Sequence, residues 1–166
     1  PLVHWRNAMM IRGMHDSFAP LERIVSELDA ERKRKFFAFG QCPLYGEEVG
    51  TRGIWLTNAL PLLTACAGNF DSKFEAAMFA TLSRFNHSCT PTCHYEWNSQ
   101  RQQMTVHMVR PVGSNDELTI CYLAPRGRPR SERQRLLQEN FGFACGCPRC
   151  SLGGSALERS DAMQSA

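Results

Sequence analysis

Three cysteines near the C-terminal end of the chain have a spacing that suits a metal ion. Cys145, Cys147 and Cys150 form a C-x-C-x-x-C cluster, in which Gly146 and Pro148 allow the backbone to turn tightly. Thiolates held this close together favour zinc, and tetrahedral closure needs a fourth ligand from elsewhere. We therefore predict a zinc site. The alternative is three reduced structural cysteines, or a disulfide and a free thiol.

Two cysteines in the middle of the chain, Cys89 and Cys93, are candidates for the fourth ligand. Cys89 belongs to a polar segment that also contains Asn86 and His87. The amide of Asn86 and the backbone around His87 offer donors and acceptors for the edge of a flat heterocycle. Read alone, this segment is a polar turn, and a lone His87 is more often a buried, hydrogen-bonded histidine or a helix end than a catalytic base.

A third segment, Asp116–Tyr122, alternates like a strand and ends in a tyrosine. Taken alone, Tyr122 is a core or edge aromatic.

Composition limits the classes of protein to consider. The chain has 166 residues, 43% of them hydrophobic, and a net charge of +3, which favours one folded domain over disorder. Charges or prolines interrupt every apolar run, so we expect no membrane span. Basic residues are interleaved with acidic ones, and we expect no specific nucleic-acid binding. Eight cysteines without a visible secretory segment indicate a reducing compartment, the nucleus or the cytoplasm.

Periodicity predicts the elements that position these residues. Helical spacing runs from Pro20 to Phe39, with Asp29 capping a second short helix, and Gln41–Gly53 is rich in turn residues. A strand is predicted at 54–57 and an irregular connection at 61–72. Residues 73–85 are predicted as a helix, with a strand around Met78 as the alternative. Strands at 94–97, 104–109 and 117–123 are predicted to form one small antiparallel sheet, and a helix is predicted at 130–140.

The three chemical segments, in this order, resemble the C-terminal half of a SET domain of the MYND-associated type, followed by its post-SET zinc site. The resemblance runs through Asn86–Pro91, Glu117–Tyr122 and Phe143–Cys150, and it covers roughly residues 54–150. It implies an α+β, β-rich fold with small antiparallel sheets, short helices and a knot-like active site. The expected domains are a SET portion at 1–140 with a helical insertion at 20–39, a zinc segment at 141–152 and a flexible tail at 153–166.

The resemblance also implies a function. Such proteins transfer a methyl group from S-adenosyl-L-methionine to a protein lysine, on a histone tail or another protein. The implied catalytic residue is Tyr122. The implied cofactor-binding residues are Ser83, Asn86, His87, Tyr122 and Phe143. The implied ligands of a structural zinc ion are Cys89, Cys145, Cys147 and Cys150.

The sequence departs from the family pattern at two places. Thr92 stands where the family usually has asparagine, and Cys93 next to it is a rival zinc ligand. The Gly-x-Gly strand of SET domains is not visible, so we expect a piece of a longer product that lacks this strand. The alternative is a catalytically inactive zinc-containing interaction module. A zinc-ribbon nucleic-acid binder would need a second paired cysteine motif and a basic stripe.

Overall fold

The structure, a computed structural model, describes residues 3–4, 11–14, 18–62, 75–123 and 128–162. The chain divides into two units. The core unit comprises Val3–Arg84 and Glu96–Thr105, and the cysteine unit comprises Phe85–Tyr95 and Val106–Ala166. The strands are β1 (Val3–His4), β2 (Ile11–Met14), β3 (Leu60–Pro61), β4 (Glu75–Met78), β5 (Asn86–His87), β6 (Cys93–Asn98), β7 (Gln103–Met108) and β8 (Thr119–Ile120). The described α-helices are α1 (Phe18–Glu27), α2 (Ala30–Phe37), α3 (Thr51–Asn58), α4 (Arg130–Phe141) and α5 (Gly154–Ala162).

The predicted helical region at 20–39 is confirmed as two helices, α1 and α2. Asp29 is the N-cap of α2, and its Oδ1 accepts a hydrogen bond of 2.8 Å from the backbone N–H of Arg32. This bond gives an acceptor to one of the N–H groups that have no partner within the first turn of a helix.

The predicted strand at 54–57 is wrong, because Thr51–Asn58 form α3. Ile54 and Trp55 favour strands by type, yet both are almost completely buried in the helix. The polar side chains that follow bond back onto the helix: Thr57 Oγ1 donates to Gly53 O at 2.7 Å, and Asn58 Nδ2 donates to Ile54 O at 2.7 Å. Burial of two large side chains thus overrides their local preference.

The predicted helix at 73–85 is also wrong in its described part, and the alternative of a strand around Met78 is confirmed. Glu75–Met78 form β4, the central strand of an antiparallel sheet ordered β2-β4-β3, and a short 3₁₀ turn follows at Leu82–Arg84. Ala76, Ala77 and Met78 are all buried. Such a continuous apolar run does not distinguish a buried strand from a helix. Lys73 and Phe74, and most of the predicted connection at 61–72, lie outside the described residues.

The hairpin predicted from 94–97 and 104–109 is confirmed as β6 and β7, within a sheet ordered β1-β7-β6. The third strand of that sheet, predicted at 117–123, is wrong. Only Thr119–Ile120 are strand, and they pair in parallel with Asn86–His87. The side chain of Thr92 explains the difference, because its Oγ1 accepts the Thr119 N–H at 2.7 Å in place of a neighbouring strand.

The helix predicted at 130–140 is confirmed as α4, which ends at Gly142 in the left-handed conformation (φ 72°). The chain after it differs from the predicted flexible tail, because Gly154–Ala162 form α5. This helix is anchored by its polar residues. The Asp161 carboxylate accepts the backbone N–H of Arg130 at 3.0 Å, and Ser160 Oγ accepts from Arg149 Nε at 3.1 Å. The small polar residues therefore have partners that composition does not reveal.

Each unit has its own buried cluster. The cluster of the core unit contains Leu21, Val25, Phe36, Phe39, Ile54, Trp55, Ala76 and Met78. The cluster of the cysteine unit contains Leu123, Leu137, Cys145 and Cys150. Within the described residues, no helix combines the length and apolar character that crossing a membrane requires.

Candidate active site

The parallel pair of β5 and β8 brings two of the predicted functional segments together in the cysteine unit. Asn86 lies opposite Thr119, and His87 lies opposite Ile120. The backbone N–H of Tyr122 then donates to His87 Nδ1 at 3.0 Å. The Asn-His segment and the tyrosine at the end of the third segment are therefore neighbours in space.

The hydroxyl of Tyr122 has a fixed direction. It donates to the backbone carbonyl of Phe85 at 2.7 Å. Burial raises the pKa of Tyr122, and the negative charge of Glu117 raises it further. The phenol is therefore protonated at neutral pH and leaves its oxygen lone pairs for another donor.

The imidazole of His87 is held through both of its ring nitrogens. Because Nδ1 accepts from Tyr122, the neutral ring carries its proton on Nε2, which lies 3.2 Å from Cys89 Sγ. Burial, and then the positive charge of Arg133, lower the pKa of His87 to about 4. The neutral ring thus connects Tyr122 to a cysteine, and only its faces and the backbone remain for a bound molecule.

Four aromatic rings cluster around this point. The centroid of His87 lies 5.3 Å from that of Tyr122 and 6.1 Å from that of Phe143. Phe141 lies 4.9 Å from Tyr122 and 6.4 Å from Phe143. Sequence reasoning selected Phe143 and missed Phe141. The Phe-x-Phe spacing at the end of α4 is the signal that could have identified both.

A cavity of about 430 Å³ adjoins the cluster, and its walls include His87, Phe143 and Glu117. Glu117 Oε1 accepts a hydrogen bond of 2.6 Å from Asn86 Nδ2, which orients the amide of Asn86. Asp116 and Arg110 also line the cavity. An aromatic face beside carboxylates suits a ligand that has a flat ring and hydroxyl or amino groups.

The cysteine cluster is closed by Cys89. The sulfurs of Cys89, Cys145, Cys147 and Cys150 all lie within 4.8 Å of one another, and Cys89 Sγ is 3.5 Å from Cys150 Sγ and 3.9 Å from Cys145 Sγ. Tetrahedral zinc, with sulfur at about 2.3 Å, separates its ligand sulfurs by about 3.8 Å. The S–S bond of a disulfide is about 2.05 Å long, much shorter than these separations. The donor set and its spacing therefore fit a zinc ion.

The rival ligand, Cys93, lies elsewhere. It is buried, and its Sγ contacts Met108 Sδ at 3.5 Å. It does not belong to the group of four sulfurs found among the described residues.

Helix α4 positions the first cysteine of the cluster through a side chain. Gln134 Nε2 donates to Cys145 O at 2.7 Å, and Cys145 N donates to Gln134 Oε1 at 2.8 Å. A tight turn follows, in which Cys150 N donates to Cys147 O at 2.9 Å. Although burial acts in the opposite direction, hydrogen bonds from the backbone of Cys150 and Cys89 lower the pKa of Cys147 to about 6.

One predicted residue is not part of this arrangement. Ser83 belongs to the core unit, where its Oγ accepts the backbone N–H of Phe79 at 2.9 Å. Its role in cofactor binding stays a prediction. Among the described residues of the cysteine unit, the structure brings together Asn86, His87, Tyr122, Phe143 and the four cysteines.

Comparison with known families agrees with this geometry. The family model described as SET domain matches residues 15–123, about two thirds of the chain, and the chain belongs to this family. Cys145, Cys147 and Cys150 lie beyond the matched residues.

Similar curated proteins are methyltransferases by name. Histone-lysine N-methyltransferase set5 of Schizosaccharomyces pombe is 38% identical over 78 residues, which are 47% of this chain and 24% of that protein. Protein-lysine N-trimethyltransferase SMYD5 of Homo sapiens is 30% identical over 90 residues, 53% of this chain and 22% of that protein. Histone-lysine N-methyltransferase SMYD3 of Mus musculus is 34% identical over 73 residues, which are 44% of this chain and 16% of that protein. The chain thus spans a quarter or less of the length of these relatives.

Proposed function

We propose that this chain carries the methyl-transfer site of a protein-lysine N-methyltransferase that uses S-adenosyl-L-methionine. The observation that carries the proposal is that His87, which follows Asn86 in β5, contacts both Tyr122 and Phe143. Similarity to lysine methyltransferases supports it. Because two of these relatives are named for histone lysines, a histone tail is the substrate class that we propose first.

The cavity beside Phe143 is the place that we propose for the adenosyl part of the cofactor. When bound, S-adenosyl-L-methionine supplies an electrophilic methyl group on a sulfonium. The ring of Phe143 offers an apolar face for adenine, and the backbone of His87 can form hydrogen bonds with the edge of the adenine ring. The carboxylates of Asp116 and Glu117 can accept hydrogen bonds from ribose hydroxyls or amino groups.

Tyr122 acts through orientation rather than through ionisation. Its hydroxyl proton is held by the Phe85 carbonyl, so the oxygen presents lone pairs toward a cationic centre and the incoming amine. Methyl transfer needs the two reacting atoms in line at about 3 Å, and positioning is then the main contribution of the protein. Loss of water beside the partly buried Tyr122 and Phe141 disfavours an ammonium ion without a partner, which favours the neutral lysine that attacks.

The proposed zinc site is structural. Cys89, Cys145, Cys147 and Cys150 would hold the ion with four thiolates, which leaves no open coordination position for catalysis. The site joins the Asn-His segment to the chain that follows α4. It thereby holds Phe143, two residues before Cys145, next to His87.

A methyl-transfer assay tests the proposal. The zinc-loaded chain is incubated with labelled S-adenosyl-L-methionine and histone, and transfer to lysine is measured. We expect Tyr122→Phe to lower transfer about 100-fold, the cost of losing one positioned polar group, and to leave cofactor affinity within about twofold. The matched control is Tyr95→Phe, which removes a hydroxyl from a ring stacked on His94 and outside the aromatic cluster.

Equal transfer by wild type and Tyr122→Phe would reject the role of this tyrosine. A wild-type chain that binds zinc and cofactor but transfers nothing to any lysine would reject catalysis by this chain. Zinc binding without cofactor binding would favour the interaction module. Action in the nucleus or cytoplasm belongs to the same proposal, because four reduced cysteines that hold zinc suit a reducing compartment.

A further inference from the structure

Arg133 is a charged residue in the interior of the cysteine unit. It lies in α4, its residue surface is 2% exposed, and its Nη2 is 3.5 Å from Cys150 Sγ. A guanidinium is rarely buried to this extent without a negative partner. Two negative groups are within reach: the Asp161 carboxylate, which Arg149 shares, and the sulfur of Cys150.

We propose that Arg133 is the counter-ion of the thiolate cluster and fixes the affinity of the site for zinc. This inference rests on the zinc site proposed above. Four thiolates around Zn²⁺ carry a net charge of −2, which is costly to bury unless positive groups and hydrogen-bond donors surround it. An N–H group of Arg133 directed at Cys150 Sγ supplies both a charge and a donor.

The surroundings of Arg133 fix its side chain and leave its charge available. Its Nη1 donates to the carbonyl of Arg128 at 2.6 Å and lies 3.4 Å from Asp161 Oδ1. Asp161 is shared, because its carboxylate also lies 4.0 Å from Arg149 Nη2. One carboxylate therefore faces two guanidinium groups, and a net positive charge remains for the sulfurs.

Arg130 adds a third guanidinium to the same region. Its Nη1 donates to the carbonyls of Leu152 at 2.9 Å and Cys150 at 3.4 Å. Among the described residues, the guanidinium groups of Arg130, Arg133 and Arg149 against the Asp161 carboxylate leave a charge of +2, which equals in size the −2 of a zinc tetrathiolate. Arg128 adds no net charge, because it pairs with Glu132. Arg133 is the member that reaches a sulfur, so its replacement should have the strongest effect on the metal.

The test measures metal affinity in the full chain. Zinc is titrated in competition with a chromogenic chelator, for wild type, Arg133→Met, Arg133→Lys and Arg135→Met. Loss of a group that supports metal ligands costs about 10–100-fold in affinity, and we expect this loss for Arg133→Met. Arg133→Lys keeps the charge and should recover at least half of the loss on a logarithmic scale. Arg135→Met is the matched control, because Arg135 lies on the same helix, is exposed and pairs with Glu139.

Cobalt(II) provides a readout that a merely structural role would not change. A hydrogen bond weakens the electron donation of a thiolate, so its removal in Arg133→Met should shift the sulfur-to-cobalt charge-transfer band to lower energy. Wild-type affinity and an unshifted band in Arg133→Met would overturn the inference. An equal loss in the Lys and Met variants would also overturn it, since packing would then explain the loss. If wild type binds no zinc, the zinc site itself fails.

Discussion

In the core unit, the most deeply buried side chains are apolar, and Trp55, Phe36 and Ile54 are each at most 1% exposed. In the cysteine unit, the buried positions include Cys145, Cys150, Thr92 and Arg133. The first set gains stability when water is removed from apolar surface. The second set gains it only when each polar group has its partner. The core unit therefore depends on shape and volume, whereas the cysteine unit depends on specific ligands and hydrogen bonds.

Removal of zinc should have the largest effect, and it should act on the cysteine unit. Binding of zinc to four cysteines contributes about 10 kcal/mol or more in small zinc domains. We expect a chelator, or Cys150→Ser, to abolish amide-exchange protection in Phe85–Tyr95 and α4, while Ala76–Met78 in β4 remain protected. Amide hydrogen exchange measured by mass spectrometry checks this. Equal loss of protection in β4 and α4 would break the distinction between the units.

The reverse test replaces a large core side chain. Trp55→Ala should lower the free energy of unfolding by about 3–5 kcal/mol, since it removes a buried ring and leaves a cavity. Urea unfolding measures this change. The control is Val49→Ala, at a side chain that is 64% exposed, where we expect less than about 0.5 kcal/mol. A loss below 1 kcal/mol for Trp55→Ala would contradict the apolar account of the core unit.

A buried hydroxyl tests the polar account of the cysteine unit. Thr92 is 1% exposed, its Oγ1 accepts the Thr119 N–H at 2.7 Å, and its own N–H donates to Thr119 Oγ1 at 3.1 Å. Thr92→Val keeps the shape and leaves the Thr119 amide without an acceptor, so we expect a loss of about 1–3 kcal/mol in urea unfolding of the zinc-loaded protein. Thr90→Val is the control, because Thr90 is exposed and its hydroxyl lies near Ser88 rather than Thr119. If Thr92→Val and Thr90→Val lose the same free energy of unfolding, the hydrogen bond between Thr92 and Thr119 does not stabilise this unit.

The smallest expected effect concerns a helix cap of the core unit. Asp29→Ala removes the acceptor of the Arg32 N–H and should cost about 1 kcal/mol in thermal or urea unfolding. Asp29→Asn keeps an acceptor and should lose less than half as much. An equal loss in both variants would show that the charge of Asp29, rather than its capping bond, is responsible.

The success of sequence reasoning follows the same division. The resemblance to the SET family, carried by the cysteine spacing, the Asn-His segment and the terminal tyrosine, predicted which residues of the cysteine unit lie together, because their order along the chain is far more specific than any single motif. Asp29 was predicted correctly for a similar reason, since capping depends on local chemistry.

The errors occur where burial or distant hydrogen-bond partners determine the secondary structure. Ile54 and Trp55 favour a strand but are buried in a helix, and the run Ala76–Met78 is apolar in either state. Helix α5 depends on contacts of Asp161 with Arg130 and of Ser160 with Arg149, which lie 31 and 11 positions earlier in the chain. Sequence reasoning did not single out Arg133, whose sequence neighbours are polar. No local pattern contains these long-range partners.

The most direct test of the account is cofactor binding with and without zinc. Isothermal titration of S-adenosyl-L-methionine into the zinc-loaded full chain should show one site, and the same titration after chelation should show affinity at least tenfold weaker, because Phe143 is then released from His87. Equal affinity in the two forms, or no binding to the zinc-loaded form at millimolar cofactor, would contradict the claim that the four thiolates assemble the methyl-transfer site.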